Sequence, residues 1–119
     1  MELDYAEIVT NVETLGAVAT KTWTVTANKR WIIYGGYAER DVAATLDLKV
    51  TDSADVTIHL MPQIAAGVTN IGFGNFASDS TWHFEPFPLD AGMKVVLTWG
   101  VAQTTPEVAL LVVQIEKIP

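Results

Sequence analysis

Apolar and polar residues alternate with a period of two through most of this chain, and nowhere does helical spacing persist for three turns. Ala44, Leu46, Leu48 and Val50 interleave with Thr45, Asp47, Lys49 and Thr51, which places four apolar side chains on one face of a strand and four polar ones on the other. After the turn signal Asp52-Ser53-Ala54-Asp55, Val56, Ile58 and Leu60 alternate with Thr57, His59 and Met61, so the two runs are expected to pair as a hairpin. Pro62 ends or bends that ladder. Trp82 and Phe84 alternate with Thr81, His83 and Glu85 until Pro86 and Pro88 break the run. Beyond the turn Leu89-Asp90-Ala91-Gly92, Val95, Leu97 and Trp99 point inward against Lys94 and Thr98. Upstream, Trp23 and Val25 face one way and Thr20, Thr22, Thr24 and Thr26 the other, before Ala27-Asn28-Lys29 turns the chain. Trp31 to Tyr37 is apolar and aromatic on both phases, with Gly35-Gly36 in the middle, a pattern that predicts a bulge or a close backbone approach.

With an opening segment near Ile8, a stretch around Ile71 to Phe76 and a last run from Val108 to Ile115, the pattern gives about eight strands joined by short turns. That spacing predicts an all-β protein, a two-sheet antiparallel β-sandwich of jelly-roll type. Residues 1–14 read as an N-terminal arm or first edge strand, and 15–119 as a single sandwich domain. Trp23, Trp82 and Trp99 fall on the inward phase and are expected in the core.

Two segments carry more apolar surface than such a sandwich needs. In the last run Ala109, Leu111, Val113 and Ile115 supply one face, yet Val108, Leu110 and Val112 make the other apolar too. Either a loop of the same chain covers that second face or another subunit does. From Leu60 to Ser78 there is no charged residue, and Ile71, Phe73 and Phe76 stand among Gly, Ala, Asn and Thr. This stretch reads either as contact surface that includes Ile71, with Phe73 and Phe76 as anchors, or as an irregular strand pair buried in its own core.

Composition narrows the chemistry. The chain has 119 residues, half of them apolar, which is one globular domain. Seven Lys and Arg residues against fourteen acids, net charge -7, argue against nucleic acid as a partner. Without cysteine there is no disulfide framework and no thiolate metal site. The acidic start and the lack of a long apolar run predict cytoplasmic synthesis with no membrane segment. His59 and His83 fall on the outward phase of their strands and are read as surface residues, and Asp52 and Asp55 as turn formers. No catalytic, cofactor-binding or metal-ligating set is predicted, and the chain is read as a binding protein instead of an enzyme. A sugar platform of Trp31, Tyr34 and Tyr37 is the alternative: strict alternation puts Tyr34 on the face opposite the other two unless the glycines bulge. Glu2, Asp4, Glu7 and Glu13, all before Lys21, form an acidic opening suited to a basic partner or to solvent.

The hairpin from Trp23-Thr24-Val25-Thr26 to Trp31-Ile32-Ile33-Tyr34-Gly35-Gly36, the Pro88-Leu89-Asp90-Ala91-Gly92-Met93-Lys94-Val95 turn into a strand and the terminal two-faced strand resemble the small jelly-roll head decoration, or cement, proteins of tailed bacteriophages. Carbohydrate-binding modules and other jelly rolls share this grammar. The resemblance implies a virion structural protein on the capsid surface, made in the host cytoplasm, that assembles as a homotrimer and clamps the major capsid protein without any cofactor.

Overall fold

The computed structural model describes residues 3–14 (as backbone), 20–68, 70–74, 83–103 and 106–117. Ten strands carry the described chain: β1 (Leu3–Thr14), β2 (Thr20–Thr24), β3 (Lys29–Ala38), β4 (Ala44–Thr51), β5 (Thr57–Leu60), β6 (Ile64–Gly67), β7 (Ile71–Gly74), β8 (Phe87–Leu89), β9 (Lys94–Trp99) and β10 (Pro106–Lys117). Among the described residues there is no helix, as period two dictates.

All pairings are antiparallel and fall into two sheets. The first runs β1-β10-β3, with β7 and β8 sharing the far edge of β3; the second runs β2-β9-β4, with β5 and β6 sharing the far edge of β4. The ten strands therefore fill eight places. The chain changes sheet at every step except from β4 through β5 to β6 and from β7 to β8, so strands distant in sequence become neighbours. That wrapping is the jelly-roll order, and it closes a β-sandwich.

The alternation explains the packing. Ala44, Leu46, Leu48 and Val50 of β4, Val95, Leu97 and Trp99 of β9, Ala109, Leu111, Val113 and Ile115 of β10, and Trp23 and Val25 at and just beyond β2 are all buried between the sheets. Thr51, expected at water, is buried as well. The β4–β5 register shifts between Val50 and Thr51, so the alternation does not carry through to Thr51.

Two broken places reflect proline. Between β5 and β6, Pro62 interrupts the ladder along β4, and Gln63 Nε2 donates to Asp47 3.1 Å away. The run expected at 81–85 is not a strand where it is described, at 83–85; the pairing segment is Phe87–Leu89, with Pro88 opposite Ile32. Because β8 pairs only β3 among the described residues, and so lies at an edge, the missing N–H of Pro88 costs no ladder bond there. Trp82 and Phe76 lie outside the described residues.

Gly35-Gly36 is a bulge and a close approach together. The β3–β10 register passes from Val113 opposite Ile33 to Val112 opposite Gly35, leaving Tyr34 as the extra residue. Gly35 has φ 152° and pairs with Gly74, φ 98°, where a side chain would run into the Tyr34 carbonyl. At Gly36 a Cβ would strike the Leu110 carbonyl and lie 2.5 Å from Phe73 Cζ, so the Phe73 ring rests on bare backbone.

Candidate interaction surface

The outward face of the first sheet is built by β10 and β3. Val108, Leu110, Val112 and Gln114 alternate with the buried set and are half-buried, as are Ile32, Tyr34 and Tyr37 on β3. The bulge makes this possible: it reverses the phase of β3 after Tyr34, so Trp31 and Ile33 point inward before it and Gly36 and Ala38 after it. Tyr37 sits opposite Leu110, and the Tyr34 hydroxyl donates to Gln114 Oε1 at 2.5 Å, so both tyrosines share the outer face. On the other flank the register sets Ile8 opposite Val112 and Val12 opposite Val108.

This placement sorts the sequence-derived candidates. Val108, Leu110, Val112, Tyr34 and Tyr37 gather on one face. Trp31, Ile71 and Phe73 do not: they are 6%, 7% and 0% exposed and belong to the core. Trp31 is inward because it precedes the bulge. Ile71 and Phe73 pair through β7 with Ala38 and Gly36, whose lack of bulk leaves room for them inside. The neutral stretch from Leu60 to Ser78 is thus core in its β7 portion.

A different part of that stretch is the exposed one. Every residue of β5 is exposed, and Val56, Ile58 and Leu60 stand 60%, 47% and 67% open. Their expected inward phase is reversed. The β4–β5 register passes from Val50 opposite His59 to Thr51 opposite Thr57, skipping Ile58, so His59 shares the side of Val50, with its ring 5.7 Å from that of Phe87 across the sheet edge, and is nevertheless exposed, as expected of a surface residue. Phe84 in turn meets Phe87 edge-on at 5.4 Å. The Asp52 carboxylate accepts from the Ala54 and Val56 amides, which ties the turn and fixes that register. The available signal was the absence of charge in 56–60; that this strand sits at an edge is long-range information no local pattern carries.

At the end of the sandwich where β3 passes to β4, polar side chains are buried to hold loops. Gln103 accepts from the Asp41 and Val42 amides through Oε1 and donates through Nε2 to the Val42 and Val101 carbonyls. Arg40, 5% exposed, donates to the Ala44 and Ala65 carbonyls; burial lowers its pKa from the ordinary value by desolvation, and the guanidinium remains charged at neutral pH. Trp99 Nε1 donates to the Glu39 carbonyl, and Glu39 Oε1 accepts from the Val108 amide. Each group contacts backbone, so the cluster acts as scaffolding.

Among the described residues no three His, Asp or Glu side chains come together as metal ligands, and no helix is long and apolar enough to cross a membrane. His83 and Glu85, 3.9 Å apart, are both exposed. The fold and its surfaces thus define the chain as a jelly-roll β-sandwich with an apolar outer face and an apolar edge. Comparison with known proteins returns no matching family model, no similar curated protein and no similar solved structure.

Proposed function

We propose that this chain is a structural assembly protein, a capsid decoration or cement subunit of a virion, that adheres through the outer face of its first sheet. The carrying observation is the half-buried stripe of Val108, Leu110 and Val112 flanked by Ile32, Tyr34 and Tyr37. Burying the remaining surface of such side chains contributes about 1 kcal/mol each, since they are already partly covered and a full transfer is about 1.5–3 kcal/mol. A handful per copy, repeated over a multivalent shell, suffices for adhesion. Gly35 and Gly36 keep the strand close to β10, which gives the partner a rigid platform at little ordering cost. By the resemblance of the sequence, the assembled form is a trimer and the partner the major capsid protein.

The test is co-sedimentation with capsids and the sedimentation mass of the free protein. The proposal expects shell binding that Leu110→Lys abolishes while the protein stays folded with a melting temperature lowered by only about 5 °C; wild-type protein that never pellets with a shell refutes it.

A second reading is favoured by one observation: the bulge brings Tyr34 and Tyr37 to the same face, as a sugar platform needs, although Trp31 is lost to the core. Saturable binding of an oligosaccharide, lost in Tyr37→Ala, would assign the face to carbohydrate instead.

A further inference from the structure

The second sheet has two free edges among the described residues, and they are built differently. β2 carries Lys21 and a row of threonines, the usual guard against edge-to-edge pairing. β5 carries none. From Val56 to Ser78 there is no Asp, Glu, Lys or Arg in a chain of net charge -7, and every residue of β5 is exposed.

We infer that β5 is a two-fold contact between copies of this chain, in which two β5 edges meet antiparallel about Ile58. The inference goes beyond the shell-binding face, which lies on the other sheet. Two observations carry it. Val56-Thr57-Ile58-His59-Leu60 reads the same in polarity from either end, so a two-fold axis at Ile58 brings the exposed Ile58 against itself and the exposed Val56 toward Leu60 of the second copy; with Ile58 skipped in the β4 ladder and the Val56 amide bonded to Asp52, the contact is one of side chains and not a continued ladder. The three apolar side chains leave on the order of 300 Å² in water per copy; with Thr57, His59 and the turn, two copies cover on the order of 1,000 Å², the lower bound of a specific interface. Charge does not oppose the contact: the Asp55 carboxylate of the adjoining turn is paired with Lys94 of its own copy at 2.6 Å.

An interface of this size is weak, so the dimer forms at high concentration or when copies are already held together on a surface. The absence of cysteine makes the test direct. Ile58→Cys is expected to form a covalent dimer under mild oxidation at least about 10-fold faster than Val101→Cys, whose side chain is also exposed but sits on a loop at the opposite end. At about 100 μM, sedimentation equilibrium is expected to give an even number of copies for wild type and half that mass for Ile58→Lys at unchanged melting temperature. Equal cross-linking rates, or a wild-type mass retained by Ile58→Lys, overturn the contact. Ile58→Lys that keeps its mass and still binds shells overturns it while leaving the first-sheet reading intact. Conversely, if Leu110→Lys loses shells in the Ile58→Cys background and the cross-link still forms at full rate, the two-fold contact is supported independently of the shell. Protection of the β5 amides only on adding an unrelated apolar strand peptide would give the edge to a foreign chain and overturn the two-fold contact.

Discussion

Replacing Phe73 by alanine separates a core side chain from an adhesive one. The ring is 0% exposed, and its edge lies 2.5 Å from where a Gly36 side chain would begin, so backbone fills one wall of its site. Backbone held by β-ladders on both sides moves little, and the void left by truncation stays open. A Phe→Ala change in such a site costs about 3–5 kcal/mol. Total stability for a domain of this kind is about 5–15 kcal/mol, so the loss is a large fraction of it. At this chain length the corresponding fall in Tm is about 10–20 °C. Urea unfolding followed by near-ultraviolet circular dichroism measures the cost, and an unchanged m-value checks that the transition remains two-state. Leu110→Ala, on the half-buried outer face, is expected to cost about 1 kcal/mol in the same assay. If Phe73→Ala cost less than Leu110→Ala, the assignment of Phe73 to the interior would be refuted.

Gly36→Ala is expected to destabilise by about 1–3 kcal/mol, because its methyl meets the Leu110 carbonyl, which the β3–β10 ladder holds in place; a melting temperature equal to wild type would contradict the close approach. Gln103→Ala strips partners from two amides and two carbonyls of the loops at that end, at a cost of about 1–3 kcal/mol. Hydrogen exchange should speed up at Asp41 and Val42 first; uniform exchange across the chain would count against a local role.

Much of the sandwich was legible because buried and exposed sides alternate residue by residue in β4, β9 and β10, so side-chain type alone reports the face. The same logic failed wherever a strand gained a residue. In β3 the extra Tyr34 moved Tyr37 to the same side as Tyr34, and in β5 the skipped Ile58 exchanged His59 for its neighbours. A single extra residue inverts the expected phase of everything after it, and glycine hinted at only one of the two places. Ile71 and Phe73 were ambiguous for another reason: absence of charge marks both a core strand and a contact surface, and only the partners Ala38 and Gly36 decide between them. For the outer face of β10 the two-sided apolar run was itself the signal.

The surplus residue in β3 also makes that point of the strand a slack link, where chain length can change without rewriting the surface. Deleting Gly35 would leave Trp31, Ile33, Gly36 and Ala38 inward and Ile32, Tyr34 and Tyr37 outward in plain alternation, so no side chain would have to change sides. Deleting Ile32 instead would put one half of the strand out of step with the other and drive Trp31 to the outer face or Tyr34 and Tyr37 inward. The strand can therefore be shortened by one glycine of the Gly35-Gly36 pair and keep the same aromatic display, whereas a codon lost at 31–33 would put the two halves of the strand out of step.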